Sequence, residues 1–130
     1  MPHTIMIVDD DPDDIALTRR ILKKTGRELV LTTASCGVTA LALLENCGEP
    51  PSLMLLDMKM PGMTGIDVLL RLRADHRFRN LPVIVVTSST LDSDRTAAVA
   101  AGANAFLHKA LDLDGFGREI ELHLQRWLDR

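Results

Sequence analysis

The sequence contains no tyrosine, one tryptophan and three phenylalanines. Proteins that bind single-stranded nucleic acid stack the bases on aromatic side chains, and proteins that bind duplexes present an excess of basic residues. The net charge of this chain is −3 at pH 7, so it lacks the second feature as well as the first. We therefore expect it to bind no nucleic acid.

Cysteine is also scarce, since Cys36 and Cys47 are the two present, and their positions do not match the ligand spacing of a zinc site. We interpret both as reduced thiols, with Cys47 in a helix, as is usual in the cytoplasm. No apolar run approaches the roughly 18 residues of a membrane-spanning helix. The first five residues, Met1–Ile5, lack the basic and apolar regions of a signal peptide. We expect a cytoplasmic protein without a membrane segment.

The chain of 130 residues has the length of one globular domain. Along it, short apolar segments typical of strands alternate with amphipathic segments typical of helices. The expected strands begin at Ile5, Leu29, Leu53, Val83 and Ala105. Strands that alternate with helices predict a parallel sheet covered by helices on both faces. We expect residues 1–130 to form a single domain of the α/β class.

The expected helices are set by apolar spacing and by their end signals. They run from Pro12 to Gly26, from Val38 to near Gly48, from Ile66 to Asp75, from Leu91 to Ala101 and from Asp112 to Leu128. Pro12 suits the first turn of a helix and Gly26 suits the position after the last turn. Apolar residues mark the second and third helices, and those of the last helix are spaced for one face: Val38, Leu41 and Leu44; Ile66, Leu69, Leu70 and Leu72; Leu113, Phe116, Ile120, Leu124 and Leu128.

The stretch around Asp57 is the most informative in the chain. Four apolar residues, Leu53–Leu56, run into this carboxylate, and a loop with Pro61 and Gly62 follows. Such a run is typical of a strand buried on both faces of a parallel sheet. Ligands of open α/β sheets bind just outside the carboxyl ends of these strands. The stretch alone fits either a reactive carboxylate or an aspartate that begins a turn.

Polar residues follow four of the five expected strands. Asp9 and Asp10 follow the first, Asp57 the third, Thr87 the fourth and Lys109 the fifth. Each has an ordinary alternative: acids that begin a helix, a threonine in a turn, a lysine on the surface. Because all these residues follow parallel strands, we expect them at one edge of the sheet, which favours a common site.

Clustered carboxylates repel one another unless a cation lies among them, and an all-oxygen site suits Mg²⁺. A carboxylate beside Mg²⁺ can attack a phosphoryl group and form an aspartyl phosphate, which makes Asp57 the candidate nucleophile. The Lys109 ammonium and the Thr87 hydroxyl can then bind the phosphoryl oxygens and share their charge.

The sequence resembles the receiver domain of two-component response regulators over essentially the whole chain. The resemblance rests on the acidic pair Asp9-Asp10, the run Asp57-Met58-Lys59-Met60-Pro61-Gly62-Met63-Thr64-Gly65, Thr87 after an apolar strand and Lys109 after Phe106. It implies a flavodoxin-like (βα)₅ fold, a doubly wound parallel sheet with strand order 2-1-3-4-5. It also implies that a histidine kinase transfers a phosphoryl group to Asp57.

The resemblance assigns roles to individual residues. It implies that Asp10, Asp57 and the backbone carbonyl of Lys59 bind Mg²⁺, while Asp9 acts through a metal-bound water.

It further implies that Thr87 and Lys109 bind the phosphoryl group, and that Phe106 changes rotamer as Thr87 moves inward. Such a domain is a switch and not an enzyme, because it catalyses only its own phosphorylation and slow dephosphorylation.

The chain looks like a stand-alone receiver. Its acidic start, Thr87-Ser88-Ser89, the absence of proline after Lys109 and Trp127 near the end are similar to regulators that partner bacterial phytochromes. The expected phosphodonor is therefore a sensor histidine kinase, such as a bacterial phytochrome, or a hybrid kinase or phosphotransfer protein. A chemotaxis-like regulator and a phosphorelay shuttle share most of these features.

Two other functions compete with the phosphoacceptor. A haloacid-dehalogenase-type phosphatase also uses an aspartate nucleophile after a strand, but it needs a second acid two residues later, where this chain has Lys59. A binding scaffold that works without phosphorylation would not need the intact set of site residues.

Three details yield separate expectations. We expect the Lys59 ammonium to pair with nearby acids and to compete with Mg²⁺. We expect a trans peptide bond between Lys109 and Ala110, because a cis bond before a non-proline residue costs about 2.5–4 kcal/mol.

The third expectation concerns a surface made by the fourth helix, the fifth strand and the fifth helix. Helical spacing turns Leu122 away from the core, with His123 beside it. Strand alternation puts Phe106 and His108 on one face and Leu107 on the other. We expect a homodimer through this surface, tightened by phosphorylation of Asp57.

Overall fold

The protein is described by a computed structural model that covers residues 2–109 and 112–129. Its strands are β1 (His3–Val8), β2 (Leu29–Ala34), β3 (Leu53–Asp57), β4 (Val83–Thr87) and β5 (Ala105–His108). Its helices are α1 (Pro12–Lys24), α2 (Gly37–Glu45), α3 (Gly65–Ala74), α4 (Asp92–Ala101) and α5 (Leu113–Leu128). The predicted alternation of strand and helix is confirmed.

The five strands form one parallel sheet in the order β2-β1-β3-β4-β5. This is the predicted flavodoxin-like order. Every residue of β3 and β4 is buried, which agrees with their continuous apolar sequences. Because all strands are parallel, their carboxyl ends lie along the same edge of the sheet.

Strand alternation divides the core into two layers. Val8 and Leu56 point to one face, where they pack against α2, α3 and α4. Ile7 and Leu55 point to the other, where they pack against α1 and α5. Full burial of each such side chain contributes about 1.5–3 kcal/mol. The two layers hold the sheet rigidly, so the residues at its carboxyl edge have defined positions.

The helix ends follow the sequence signals. Asp11 caps α1 by accepting a hydrogen bond from the Asp13 backbone N–H at 2.9 Å, and Pro12 occupies the first helical position. After α1, Gly26 adopts a positive φ of 75°, which glycine tolerates without strain. Thr64 and Asp67 form a reciprocal capping box at the start of α3.

Three of the apolar residues that mark the helices lie exposed: Val38, Leu70 and Leu113 are 64%, 55% and 50% exposed. In α2 the buried positions are instead Gly37, Ala40 and Leu44. A helix with apolar residues on several sides has no unique phase, so spacing alone could not select the inner face. Gly37 lies inside the first turn, where a Cβ would meet the Met63 and Val68 side chains at 2.9 Å.

The assignment of Cys47 to a helix is wrong, since α2 ends at Glu45. Both cysteines are free thiols. The Lys109–Ala110 peptide bond lies outside the described residues, so its expected trans geometry stays a prediction. Among the helices that the structure describes, none has the length and apolar character needed to cross a bilayer.

One contact had no signal in the sequence. The Arg73 guanidinium reaches from α3 to the turn after α4, where it donates to the Gly102 carbonyl oxygen at 2.8 Å and to Asn104 Oδ1 at 2.9 Å. It also donates to the Phe78 carbonyl oxygen at 2.8 Å. These bonds fasten the turn that leads into β5.

Candidate functional site

The sheet places four of the predicted residues at its carboxyl edge. Asp57 and Thr87 are the last residues of β3 and β4, while Asp9 and Lys109 directly follow β1 and β5. Backbone hydrogen bonds continue past the strands: the Asp9 N–H donates to the Ala34 carbonyl oxygen at 3.0 Å, and the Lys109 N–H donates to the Thr87 carbonyl oxygen at 2.7 Å. The sheet itself therefore fixes these four positions.

Three carboxylates converge at this edge. One oxygen from each of Asp9, Asp10 and Asp57 lies within 4.8 Å of the others. Asp9 and Asp57 are each 6% exposed, whereas Asp10 is exposed. The Asp11 backbone N–H orients Asp9 by donating to its Oδ1 at 2.9 Å. A compact set of hard oxygen donors, open to solvent on one side, fits Mg²⁺ with part of its water shell retained.

Lys109 is the cation of this cluster. Its Nζ donates to Asp9 Oδ2 at 2.8 Å and to Asp14 Oδ2 at 2.9 Å. It lies 3.5 Å from Asp57 Oδ1. The sequence predicted the approach to Asp9 and Asp57, but it did not single out Asp14. The available signal was that a helix beginning at Pro12 places Asp14 beside the carboxyl edge of the sheet.

The pKa values of Asp57 and Lys109 reflect burial and the charges of their neighbours. Burial raises the pKa of Asp57 to about 6, and the nearby Asp9 charge adds to this effect while Lys109 opposes it. Burial alone would lower the pKa of Lys109, but its hydrogen bonds to Asp9 and Asp14 outweigh that effect and raise it. The ammonium is thus permanently charged. The anionic form of Asp57 is less stable than that of an ordinary aspartate.

Thr87 and Phe106 lie on the same face of adjacent strands. Thr87 pairs with His108 and Val85 pairs with Phe106, so the two side chains are two positions apart on that face. Thr87 is fully buried, and its Oγ1 accepts a hydrogen bond from the Ser89 backbone N–H at 3.1 Å. Phe106 is half-buried against the α2–α3–α4 layer. The predicted separation of Phe106 and His108 from Leu107 is confirmed, because Leu107 joins the opposite layer.

Lys59 projects from the loop after β3 and is 62% exposed. Its Nζ lies 3.3 Å from Asp94 Oδ2 in the first turn of α4. Asp94 also accepts a hydrogen bond from the Ser89 hydroxyl. The expected pairing of the Lys59 ammonium with a nearby acid is confirmed, and the partner is an acid of α4 outside the carboxylate cluster.

The loop after β3 turns back tightly over the site. The Gly65 N–H donates to the Met58 carbonyl oxygen at 3.0 Å. A Cβ on Gly65 would stand 2.5 Å from the Asp57 carbonyl oxygen, so only glycine permits this approach. The close packing fixes the backbone on which both Asp57 and the Lys59 carbonyl depend.

The model of the response regulator receiver domain family matches residues 5–121. The chain is a member of this family. The receiver is 36% identical to the chemotaxis protein CheY of Pseudomonas aeruginosa, over 88% of its own length and 93% of that protein.

Two solved structures share the fold of the receiver. The phosphorylated cyanobacterial phytochrome response regulator RcpA superposes with a TM-score of 0.88, at 26% identity, covering 98% of this chain and 95% of RcpA. The receiver domain of the sensor histidine kinase PA1611 from P. aeruginosa superposes with a TM-score of 0.84, at 25% identity over the full length of both chains. That domain carries a magnesium ion in its active-site cleft.

Proposed function

We propose that the receiver accepts a phosphoryl group on Asp57 from a phosphohistidine of a kinase. The main support is the geometry around Asp57, a buried carboxylate with a pKa of about 6 that lies next to two further carboxylates. Its Oδ1 is 3.5 Å from the permanently charged Lys109 ammonium. Phosphorylation turns this carboxylate into an acyl phosphate with more negative charge, so the step depends on cations that can reach the added oxygens. Family membership supports the same function.

The transfer step needs a deprotonated Asp57. One Oδ attacks phosphorus and forms the new O–P bond, while the N–P bond of the phosphohistidine breaks and its electron pair stays on the imidazole nitrogen. Lys109 is positioned to neutralise the charge of the phosphoryl oxygens. The Thr87 hydroxyl, at the end of the neighbouring strand, would donate to another of them.

We propose that Asp10, Asp57 and the Lys59 carbonyl hold Mg²⁺, with Asp9 acting through a bound water. The donor set fits a hard divalent ion, as described above. When bound, Mg²⁺ would neutralise charge on the phosphoryl oxygens.

Signal output would begin at Thr87. In this proposal the hydroxyl leaves the Ser89 N–H for the phosphoryl group, and Phe106, on the same face of the sheet, moves into the space near it. The two arrangements form a switch that phosphorylation biases. Autophosphorylation from small donors and slow hydrolysis are the reactions that the domain itself would catalyse.

The proposal extends to partners and setting. We propose a single receiver domain over residues 1–130 that works in the cytoplasm with a sensor histidine kinase. The likeness to RcpA supports a bacterial phytochrome as that kinase. A hybrid kinase or a phosphotransfer protein is the alternative donor, and onward transfer of the label to a phosphotransfer protein would mark a phosphorelay shuttle.

Intact-protein mass spectrometry tests the phosphoacceptor function. Wild-type protein treated with acetyl phosphate and Mg²⁺ should gain one phosphoryl group, and Asp57→Asn should gain none. Asp67→Asn, which changes an aspartate on the α3 cap, is the control and should be modified like the wild type. Modification that survives Asp57→Asn contradicts the assignment, and a scaffold would remain unmodified in every variant.

We further propose a homodimer through α4, β5 and α5 that phosphorylation tightens. Leu122 is 57% exposed on α5, and Val99 on α4 is 58% exposed. Two such side chains favour an interface, although single exposed leucines are common. Sedimentation mass of the phosphorylated protein should fall to that of a monomer in Leu122→Glu. The matched control is Leu70→Glu on α3, which should keep the wild-type mass; equal masses for both variants contradict this interface.

A further inference from the structure

Asp14 makes a hydrogen bond within the site that none of the roles above explains. Its Oδ2 accepts from Lys109 Nζ at 2.9 Å, while the distance from the same Nζ to Asp57 Oδ1 is 3.5 Å. Asp14 belongs to α1 and Lys109 follows β5, so the contact joins residues 95 positions apart. The ammonium is therefore held more closely by Asp14 than by the proposed phosphoacceptor.

Asp9 and Asp14 together set the position of the Lys109 ammonium. An ammonium has three N–H donors. Asp9 and Asp14 take two of them, at 2.8 and 2.9 Å. Asp9 is buried and further tied to the Asp11 backbone, whereas the Asp14 side chain is 37% exposed. Of the two bonds, the one to Asp14 is the easier to give up, because water can replace Lys109 there.

We propose that Asp14 is a positioning residue that restrains Lys109 in the unphosphorylated state and competes with the phosphoryl group for it. The inference rests on the proposed function of Asp57. A phosphoryl group brings close to two negative charges and three acceptor oxygens. Lys109 must turn toward these oxygens, so it gives up its bond to Asp14. Asp14 thereby opposes phosphorylation twice, by holding the cation back and by adding negative charge to the cluster.

The chain contains a matched control one residue away. Asp13 lies in the same first turn of α1 and carries the same charge. In residues 2–109 and 112–129 its carboxylate takes part in no hydrogen bond or ion pair, and its backbone N–H donates to Asp11. Asp13→Asn thus removes one negative charge near the site without touching Lys109, and Asp14→Asn removes the same charge together with the bond.

The test measures phosphorylation by acetyl phosphate in Mg²⁺. Asp14→Asn should be phosphorylated roughly two- to fivefold faster than the wild type, as expected for loss of one half-exposed ionic contact. Asp13→Asn should differ much less, and Asp14→Glu should return toward the wild-type rate. Equal rates for Asp14→Asn and Asp13→Asn, or a slower Asp14→Asn, overturn the inference alone. A wild-type protein that takes up no phosphoryl group overturns the proposed function and this inference together.

A second readout does not depend on phosphorylation. The ¹⁵N resonance of the Lys109 ammonium in the unphosphorylated protein should move in Asp14→Asn and stay in place in Asp13→Asn. An unmoved resonance in Asp14→Asn contradicts the bond itself. Urea unfolding of both variants verifies that any change in rate occurs in folded protein.

Discussion

Two charged clusters lie at opposite edges of the same sheet. The phosphoacceptor cluster, named for its proposed role, lies at the carboxyl edge and consists of Asp9, Asp10, Asp14, Asp57 and Lys109. The anchor cluster, beside the start of β2 and the end of α5, consists of Arg27, Glu121 and Asp129. The first has one cation among four carboxylates, and the second has one cation between two.

The clusters shift the pKa of their acids in opposite directions. In the anchor cluster, Arg27 donates two hydrogen bonds to Asp129, at 2.8 and 2.7 Å, and these bonds lower the pKa of that carboxyl. In the phosphoacceptor cluster, burial raises the pKa of Asp57 to about 6 despite Lys109. An ion pair that contributes to the stability of the fold stabilises its anion. A site that binds a further cation leaves its central anion poorly stabilised until the cation is present.

The largest expected effect comes from Asp57→Asn. Removing a buried, poorly balanced charge should raise the free energy of unfolding at pH 7, without metal, by on the order of 1–3 kcal/mol. Urea unfolding measures this change.

The gain should depend on pH in a defined direction. The unfolded chain releases the Asp57 proton near pH 3.9, but the folded protein retains it up to a pKa of about 6. The proton retained on Asp57 therefore stabilises the folded wild-type protein at low pH, and this stabilisation is lost as pH rises from about 3.9 through about 6. The Asp57→Asn variant has no titrating carboxyl at this position. The difference between variant and wild type should be smaller at pH 5 than at pH 7. An equal difference at both pH values would show that burial of the Asp57 charge is not its cause.

Breaking the anchor cluster should have the reverse effect on stability. Arg27→Met removes both bonds to Asp129, so the urea midpoint should fall modestly, since the pair is partly exposed. The rate of phosphorylation by acetyl phosphate should equal that of the wild type, because the cluster is at the far edge of the sheet. A large change in that rate would mean that the two edges are coupled.

The smallest expected effect concerns Lys59, which adds positive charge beside the phosphoacceptor cluster. Lys59→Asn should tighten Mg²⁺ binding by about two- to fivefold, because one partly exposed repulsion of the ion is removed. Lys59→Arg keeps the charge and is the control. Titration with Mg²⁺ measures the affinities, and an unchanged or weaker affinity for Lys59→Asn would mean that the Asp94 pair keeps the ammonium out of the ion's reach.

Much of the fold was predictable because its signals are local. The apolar runs of β3 and β4 and the breaks at Pro12 and Gly26 set the order of elements, and parallel order then brings strand ends together. Asp57, Thr87 and Lys109 could be predicted as neighbours by topology alone, without knowledge of any distance.

What could not be predicted depends on how helices rotate and pack. Val38 and Leu70 are apolar residues on exposed faces, and nothing in their spacing says so. Lys109 pairs with Asp14 and Lys59 pairs with Asp94. Both acids lie in the first turns of helices, and these turns are close to their lysines in the folded structure but not in the sequence. An aspartate in a first helical turn is favourable for the helix itself, so the residue type alone does not reveal a second role.

The contrast between the clusters can be measured in one experiment. The ¹³Cγ resonances of the aspartate side chains, followed by pH titration of metal-free protein, report Asp57 and Asp129 side by side. The expected result is a pKa of about 6 for Asp57 and a pKa below the ordinary value for Asp129. An Asp57 that titrates at or below the ordinary aspartate pKa of about 3.9 would contradict the claim that the site holds its proposed phosphoacceptor as a poorly stabilised anion.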